Sequence, residues 1–461
     1  MSRMKELDRW LPHRLEELAG LHRVPGAVVG VLDHGETFHT ATGVVNRATG
    51  VGTTTDTLFQ VGSITKVWTA TLAMQLVDEG VLELDAPVRA YLPQFRVADA
   101  AVSETITVRQ LTTHTSGFEG DIFVDTGRNA DAVERFLDAL ADVPQLFSPG
   151  SRFSYNNAGY VVLGRIIEVL RGQSYGQVLH DRIADPLELT HLAVDAEEAI
   201  LHRSVVGHIA PEPDTAPEPT PVWSMVSSNA PAGALLSMST GELLRFVRTH
   251  LDATGDQGSS ILSAAAGKAM QAPLVEATAM GPAGTRWGIG WELWDRPGGR
   301  VIGHNGSTIG QSAYLRVVPD ARVAVALLTN GGDTTPVYEA LFAELLDTLA
   351  GVEMPVSPQP PAAPVPFRPE RYVGRYTSRV VAHDVHADDD GGMWLETEQM
   401  GTTARLKAPQ PPRQIVCAGG DTFIPLEPED GVHRRLEFVV EPGQTRASFL
   451  HTGRAVARAG T

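Results

Sequence analysis

Ser63-Ile64-Thr65-Lys66 sets a hydroxyl and an amine three residues apart, with a glycine before them and an apolar run after them. The run TKVWTATLAMQLVDEG carries Val67, Ala70, Leu72, Ala73, Leu76 and Val77 at helical spacing, so Lys66 falls in the first turn of a helix buried on most sides. Residues three apart share a face there, which brings Lys66 Nζ within reach of Ser63 Oγ. The chain has only four lysines, Lys5, Lys66, Lys268 and Lys407, and uses arginine almost everywhere else. Arginine cannot give up its proton in a protein, whereas a buried lysine can, and it then acts as a base. The free N–H groups and positive dipole end of the helix suit an anionic intermediate at the same place. Ser63 is therefore a candidate nucleophile. The plainer alternative is an N-capping serine followed by a snorkelling lysine. A second S-x-x-K, Ser2-Arg3-Met4-Lys5, lies in an N-terminal tail where nothing positions it.

Two more stretches carry polar groups at element ends. FSYNNAGY (153–160) puts Tyr155 and Asn157 just before the apolar run AGYVVLGRIIEVL, and VIGHNGSTIG (301–310) ends a strand at His304-Asn305-Gly306. GQSYG (172–176) fits G-x-S-x-G, but that motif needs a strand before it. The segment before Gly172 reads as a helix, so Ser174 with Gln177 reads as a capping box opening the next helix. His383 and His386, with Asp388 near, fall three apart on an alternating strand and so point to opposite faces, which fits a solvated strand better than a metal site. His114 in LTTHTSGF reads as a structural residue beside the site. Arg446 follows the turn EPGQT; such an arginine is either solvated or aimed at a substrate carboxylate across the cleft.

These groups need elements to hold them. At 461 residues, 43% hydrophobic and 20% charged, the chain is globular and long enough for two domains. MPVSPQPPAAPVPFRPE (354–370) is too rich in proline for helix or central strand and reads as an extended linker. The expected division is a first domain over 1–353, a linker over 354–369 and a second domain over 370–461. In the first, GAVVGVLDHGETFHTATG (26–43) reads as two strands around an Asp-His-Gly turn. Helices are expected at 65–79, around 131–141, at 158–171 and at 240–251, the last opened by a Ser239–Glu242 capping box. RWGIGWELW, RVIGHNG, QSAYLRVV and RVAVALLTN read as four strands, followed by a helix near 335–349. Strands at both ends with helices between them predict one antiparallel sheet built from both ends of this body. After the linker, VGRYTS, GMWLETE, RLEFVVEPGQTRASFL and RAVARAG are short alternating runs, which predict a small antiparallel barrel.

The order S-x-x-K, then Y-x-N, then a basic residue-x-G at a strand end resembles the active-site elements of the penicillin-binding-protein and class C β-lactamase superfamily. LTTHTSGF, APAGALLSMSTGELLRF (230–246) and GIGWELW…GHNGSTIG also resemble its connecting segments, over roughly residues 20–350. The resemblance implies a fold of mixed α/β class: an antiparallel sheet flanked by helices, with a helical subdomain and, as in some relatives, a C-terminal lipocalin-like barrel. It implies Ser63 as nucleophile, with Lys66 and Tyr155 handling its proton. Asn157 would hold the substrate amide, with Asn305 and Ser307 as further substrate contacts; Arg446 is a candidate contact only through its place in the barrel. The backbone N–H groups of Ser63 and Ser307 would form the oxyanion hole. No cofactor or metal is implied. One departure is His304, where most relatives carry lysine; histidine is the weaker fixed cation. That points away from strong β-lactam carboxylate recognition and toward relatives with His-x-Gly: D-aminopeptidases, D,D-peptidases, esterases, and the penicillin-binding-protein-type thioesterases that release and cyclise nonribosomal peptides.

Net charge of −18 argues against nucleic acid or an anionic membrane as main partner. One cysteine, Cys417, excludes internal disulfides. MSRMKELDRWLPHRLEELAGLHRVPG shows no apolar signal region and reads as an amphipathic helix with Leu7, Trp10, Leu11, Leu15 and Leu18 on one face, and no stretch is long enough to span a bilayer. The expectation is a cytoplasmic enzyme acting on a small-molecule or peptide substrate, with presentation on a carrier protein one route. The specific expectation is a thioesterase that macrocyclises a peptide with D-residues; a hydrolase of small amides or esters is the alternative, and a non-catalytic sensor on the same fold the remaining one.

Overall fold

Leucines at positions 7, 11, 15 and 18 fold Arg3–Leu21 into a helix that buries all four, with Trp10 packed partly buried beside them. Each such side chain contributes roughly 2 kcal/mol by leaving water. In the computed structural model the described residues are 3–460, apart from 213–214, 256–257, 278–284, 355–356, 364, 402–410 and 430–431. Ser2, Lys407 and the linker residues Pro355, Val356 and Pro364 lie outside them.

The helix covers one face of a nine-stranded sheet whose centre joins the two ends of the body. Gly26–Asp33 pairs antiparallel with Val323–Thr329, with Ala27 opposite Thr329, and with Glu36–Asn46 on its other edge. Beyond Val323–Thr329 come Gln311–Val318, Gly299–Thr308, Glu292–Arg296 and two short edge strands. Gly26–Asp33 is buried at every position because both faces are covered. Ala27, Val29 and Val31 pack under Arg3–Leu21 and the helix Thr334–Ala350, whereas Val28 and Leu32 join the larger core on the other face. That larger core is built on the helices Thr65–Asp78, Asn157–Arg171 and Thr240–Ala253. Trp68 of the first stacks on Phe246 of the last, ring centroids 3.9 Å apart, which seats the first helix deep in the molecule.

Several local expectations change in detail. RWGIGWELW is two strands, not one, interrupted where Gly288 N–H donates to Trp291 O at 2.8 Å. The helix expected over 131–141 is a short α-helix, Ala132–Phe136, continued as a 3-10 turn, Leu137–Leu140. Ser239 caps its helix through Glu242 N–H, but the Glu242 carboxylate does not reach back to it. That carboxylate is buried and accepts from Thr190 and His191 N–H instead, at 3.1 and 3.0 Å. Ser174 makes no side-chain cap; Glu168 accepts the Tyr175 N–H at 2.9 Å and starts that helix.

Among the described residues between Ala350 and Gly374 the only regular piece is a 3-10 turn, Pro369–Arg371. Eight strands from Gly374–Thr377 to Ala455–Arg458 then close a barrel, each paired with its sequence neighbour and the first with the last. Tyr376, Phe423, Phe438 and Leu450 fill its interior. His383 and His386 do point to opposite faces, but the strand is half-buried: His383 pairs with Thr397 Oγ1 at 3.0 Å, while His386 is exposed. No group of three or more His, Cys, Asp or Glu among the described residues is arranged to hold a metal ion. No described helix is long and apolar enough to cross a membrane.

Candidate active site

Ser63 sits in a single 3-10 turn, Gly62–Ile64, that runs straight into the helix Thr65–Asp78. Lys66 is fully buried in the first turn, with Nζ 3.0 Å from Ser63 Oγ and 2.5 Å from the Ala232 carbonyl oxygen. No carboxylate of the described residues lies within ion-pair distance of it. Burial holds the amine well below the usual lysine range; the Arg454 guanidinium adds to this and Asp121 opposes it. Nζ donates to the Ala232 carbonyl oxygen, and losing a proton would free a lone pair for Ser63 Oγ.

Tyr155 is buried beside them, its ring centroid 4.9 Å from Lys66 Nζ. Burial pushes the phenol up, against the pull of Ser63 and Arg454, so it is a proton donor at neutral pH and not a phenolate. Its ring is fixed on both sides. His114 stacks on it at 4.4 Å and Trp287 meets it edge-on at 5.8 Å. His114 Nδ1 also accepts the Asn156 N–H at 2.9 Å, which ties the loop 113–118 to the residue that caps the helix after Tyr155.

His304 is buried on the strand Gly299–Thr308, and its Nδ1 meets the Asn305 carbonyl oxygen at 2.5 Å. Burial, then the nearby Lys66, pulls its pKa down to about 3, so the ring is neutral. A carbonyl only accepts, so the hydrogen sits on Nδ1 and Nε2 is left as an acceptor without a partner among the described residues. The next residues approach Ser63 by backbone. A Cβ on Gly306 would come within 1.9 Å of Val61 O and 3.0 Å of Ser63 N, so only glycine lets this strand end lie against the turn. Asn305 and Ser307 flank it, both exposed.

Asn157 opens the helix Asn157–Arg171, capped by the Asn156 side chain on Gly159 N–H. Its Nδ2 donates to Asp121 Oδ1 at 2.6 Å. Asp121 Oδ2 stands 2.5 Å from Arg454 Nε, an ion pair rather than an aligned hydrogen bond. Arg454 belongs to the barrel, and its guanidinium lies 4.8 Å over the Tyr155 ring. The barrel turn that carries it grips the Tyr155 segment directly. Gly453 O accepts the Tyr155 N–H at 2.9 Å, Ser154 Oγ accepts the Ala455 N–H at 3.1 Å, and His451 Nε2 meets Phe153 O at 2.8 Å.

The structure thus gathers Ser63, Lys66, Tyr155, Asn157 and His304 and lays the exposed Asn305 and Ser307 at their edge. It leaves Arg446 exposed, with no polar contact to this group; the barrel's cation at the cleft is Arg454, eight residues on. Asp121, Trp287 and Arg454 went unmarked in the sequence. The only local signal for Arg454 was a Gly-Arg pair before a strand-like run.

The Beta-lactamase family model matches residues 9–350. Penicillin-binding protein 4 of Amycolatopsis lactamdurans is 45% identical over 366 residues, 79% of this chain and 96% of that protein. The solved structure of SurE superposes with a TM-score of 0.79 at 29% identity, covering 99% of this chain and 100% of that one. SurE solved with D-Leu gives a TM-score of 0.75 at 30% identity, over 97% and 98% of the two chains. The similarity to SurE takes in the barrel as well as the body. A serine and a buried amine in one helical turn, on this sheet and with this family match, make the chain a member of the β-lactamase and penicillin-binding-protein superfamily of serine hydrolases.

Proposed function

We propose that the chain is a serine acyl-transfer enzyme whose acyl donor is a peptidyl thioester ending in a D-residue, and whose acceptor is the peptide's own amine. The observation that carries the serine chemistry is the fully buried Lys66 Nζ at 3.0 Å from Ser63 Oγ. Ser63 Oγ attacks the thioester carbonyl as its proton passes to Lys66, and the backbone N–H groups of Ser63 and Ser307 stabilise the oxyanion. The C–S bond breaks, and the thiolate takes a proton from the Tyr155 hydroxyl, which Lys66 resupplies. The amine then attacks the ester, its proton returns through the same pair, and the C–Oγ bond breaks to give an amide and free Ser63.

Two further observations favour this donor. SurE, similar over the whole length, has been solved with D-Leu. The neutral His304 withdraws the fixed cation from the third motif, and Arg454 supplies one from the barrel side instead. A hydrolase of small amides or esters would use the same first step and differ only in admitting water to the acyl-enzyme. Intact-protein mass spectrometry with such a thioester, on wild type and Ser63→Ala, tests the reading. Wild type alone should gain the acyl mass and then release a product lighter than the free acid by one water. Release of the linear acid makes it a hydrolase, and no acylation of either protein overturns the thioester reading.

A further inference from the structure

Asn157 follows Tyr155 by two residues at the start of its helix, and its buried amide can turn two ways, as donor or as acceptor; its own segment does not decide which. The neighbour that decides is Asp121. A carboxylate only accepts hydrogen bonds, so the group 2.6 Å from Asp121 Oδ1 must be the Asn157 NH2. Asn157 Oδ1 then points away from Asp121, and no described residue donates to it. The second carboxylate oxygen holds Arg454 at 2.5 Å, and Arg454 lies over the Tyr155 ring. Asp121 itself is held close: Gly120 O accepts the Ala158 N–H at 2.9 Å, and a Cβ on Gly120 would come within 2.5 Å of Asn156 Cα. Side chains at that position would push Asp121 off the helix start.

We propose that Asp121 is a positioning residue that locks the Asn157 amide with its carbonyl oxygen toward the substrate and ties the barrel's Arg454 to the catalytic body. This rests on the acyl-enzyme reading above and deepens it. With Oδ1 fixed outward, Asn157 selects donors that present an N–H, as a peptidyl group does and a simple ester does not. The same carboxylate governs charge at the base. The charged and titratable groups around Lys66 are Arg454 on the barrel, Asp121 on the loop before the Tyr155 segment, His114 and His304 on either side, and the phenols of Tyr155 and Tyr160. Arg454 lowers the Lys66 pKa and Asp121 raises it. Removing either partner of one ion pair therefore moves the base in opposite directions, which a merely structural contact would not do.

The test compares two N-acetylcysteamine thioesters ending in the same D-residue: a dipeptide, and its twin in which an ester oxygen replaces the amide N–H next to the thioester. Acylation of Ser63 by p-nitrophenyl acetate, absent in Ser63→Ala, serves as control. Wild type should prefer the dipeptide, and Asp121→Asn should cut that preference about tenfold, chiefly in KM, because Asn157 can then turn over. Asp121→Glu, which keeps both acceptors, should retain most of it. The acid limb of kcat/KM should move to lower pH in Asp121→Asn and to higher pH in Arg454→Gln. Should the Asn variant not fold, Asp121→Ser takes its place. An unchanged preference, or limbs that shift the same way, overturns the assignment of Asp121 while leaving the nucleophile intact. If p-nitrophenyl acetate does not acylate Ser63 in wild type, the acyl-enzyme reading falls, and the role of Asp121 falls with it.

Discussion

In the proposed mechanism Lys66 and Tyr155 divide the proton chemistry by environment alone: burial disfavours charge on both, which suits the amine to act as base and the phenol as acid. Two outcomes follow. Lys66→Arg keeps a long N–H donor but cannot deprotonate, so steady-state turnover should fall about 10²- to 10⁴-fold while Lys66→Arg remains folded by circular dichroism. Near-wild-type turnover in that variant would remove Lys66 as the base. Tyr155→Phe should harm amide donors far more than thioesters, because an amine needs its proton before leaving and a thiolate does not. Equal losses on paired amide and thioester donors would contradict the acid role. At this scale the sequence was legible where chemistry is local: Ser63 and Lys66 lie within one turn, and Tyr155 and Asn157 two residues apart. It was not legible for Asp121 or Arg454. Their meaning comes from one carboxylate meeting an amide and a guanidinium that the chain delivers from far apart, and Arg446 and Arg454 look alike until the barrel is docked.

Among the elements, helices carried their own signature, since apolar spacing of three and four marks both their extent and the face they bury. Their caps did not. Glu242 spends its carboxylate on the backbone of another segment and Gln177 gives its amide to Asp181 Oδ1, so Ser239 and Ser174 lose the reciprocal partners that spacing suggested. The barrel strands Val381–Ala387, Arg413–Gly419 and Thr422–Pro425 are short and partly polar, and only closure with their neighbours defines them. The element that matters most to the site is the turn at 451–455. His451 Nε2 meets Phe153 O at 2.8 Å, and its Nδ1 takes the Gly453 N–H at 3.2 Å, so one neutral ring holds the turn and the tyrosine segment together. His451→Leu leaves the Phe153 carbonyl without this partner and should cost about 1–3 kcal/mol, read as a lower melting temperature and reduced kcat. His451→Gln keeps an N–H donor and should lose less. Identical behaviour of the two variants would mean that packing, not this hydrogen bond, holds the turn.

At the scale of the whole molecule, buried ionisable groups make stability depend on pH. Burial is the main cause that holds His250 and His304 down to about 3 and His383 and His451 to about 4. In the unfolded chain an imidazole takes its proton near pH 6.5. Between those values the unfolded chain binds more protons, so stability is full above about pH 6.5 and is lost as pH falls toward 4. Glu292 has the opposite sign: burial raises it to about 7, so below that pH the folded chain holds a proton the unfolded one gives up, which offsets about one histidine. The balance amounts to several kcal/mol between pH 7 and 4.5, a large share of the ~5–15 kcal/mol typical of a domain. Melting temperatures at pH 7, 5.5 and 4.5 should fall steadily, and His250→Gln should flatten the slope; a constant melting temperature would mean these rings are not held neutral. The central seam of the sheet has a further consequence, in the order of synthesis. Ala27 waits for Thr329, so the valine-rich strand Gly26–Asp33 leaves the ribosome with one edge paired to Glu36–Asn46 and the other open until Val323–Thr329 exists, a contact order that makes this body slow to fold and dependent on protection from wrong pairing. The barrel, with each strand paired to the next in sequence, assembles fast but is translated after that body. A nascent chain halted before Gly453 would carry Ser63 and Lys66 in full, and still lack the backbone that holds Tyr155.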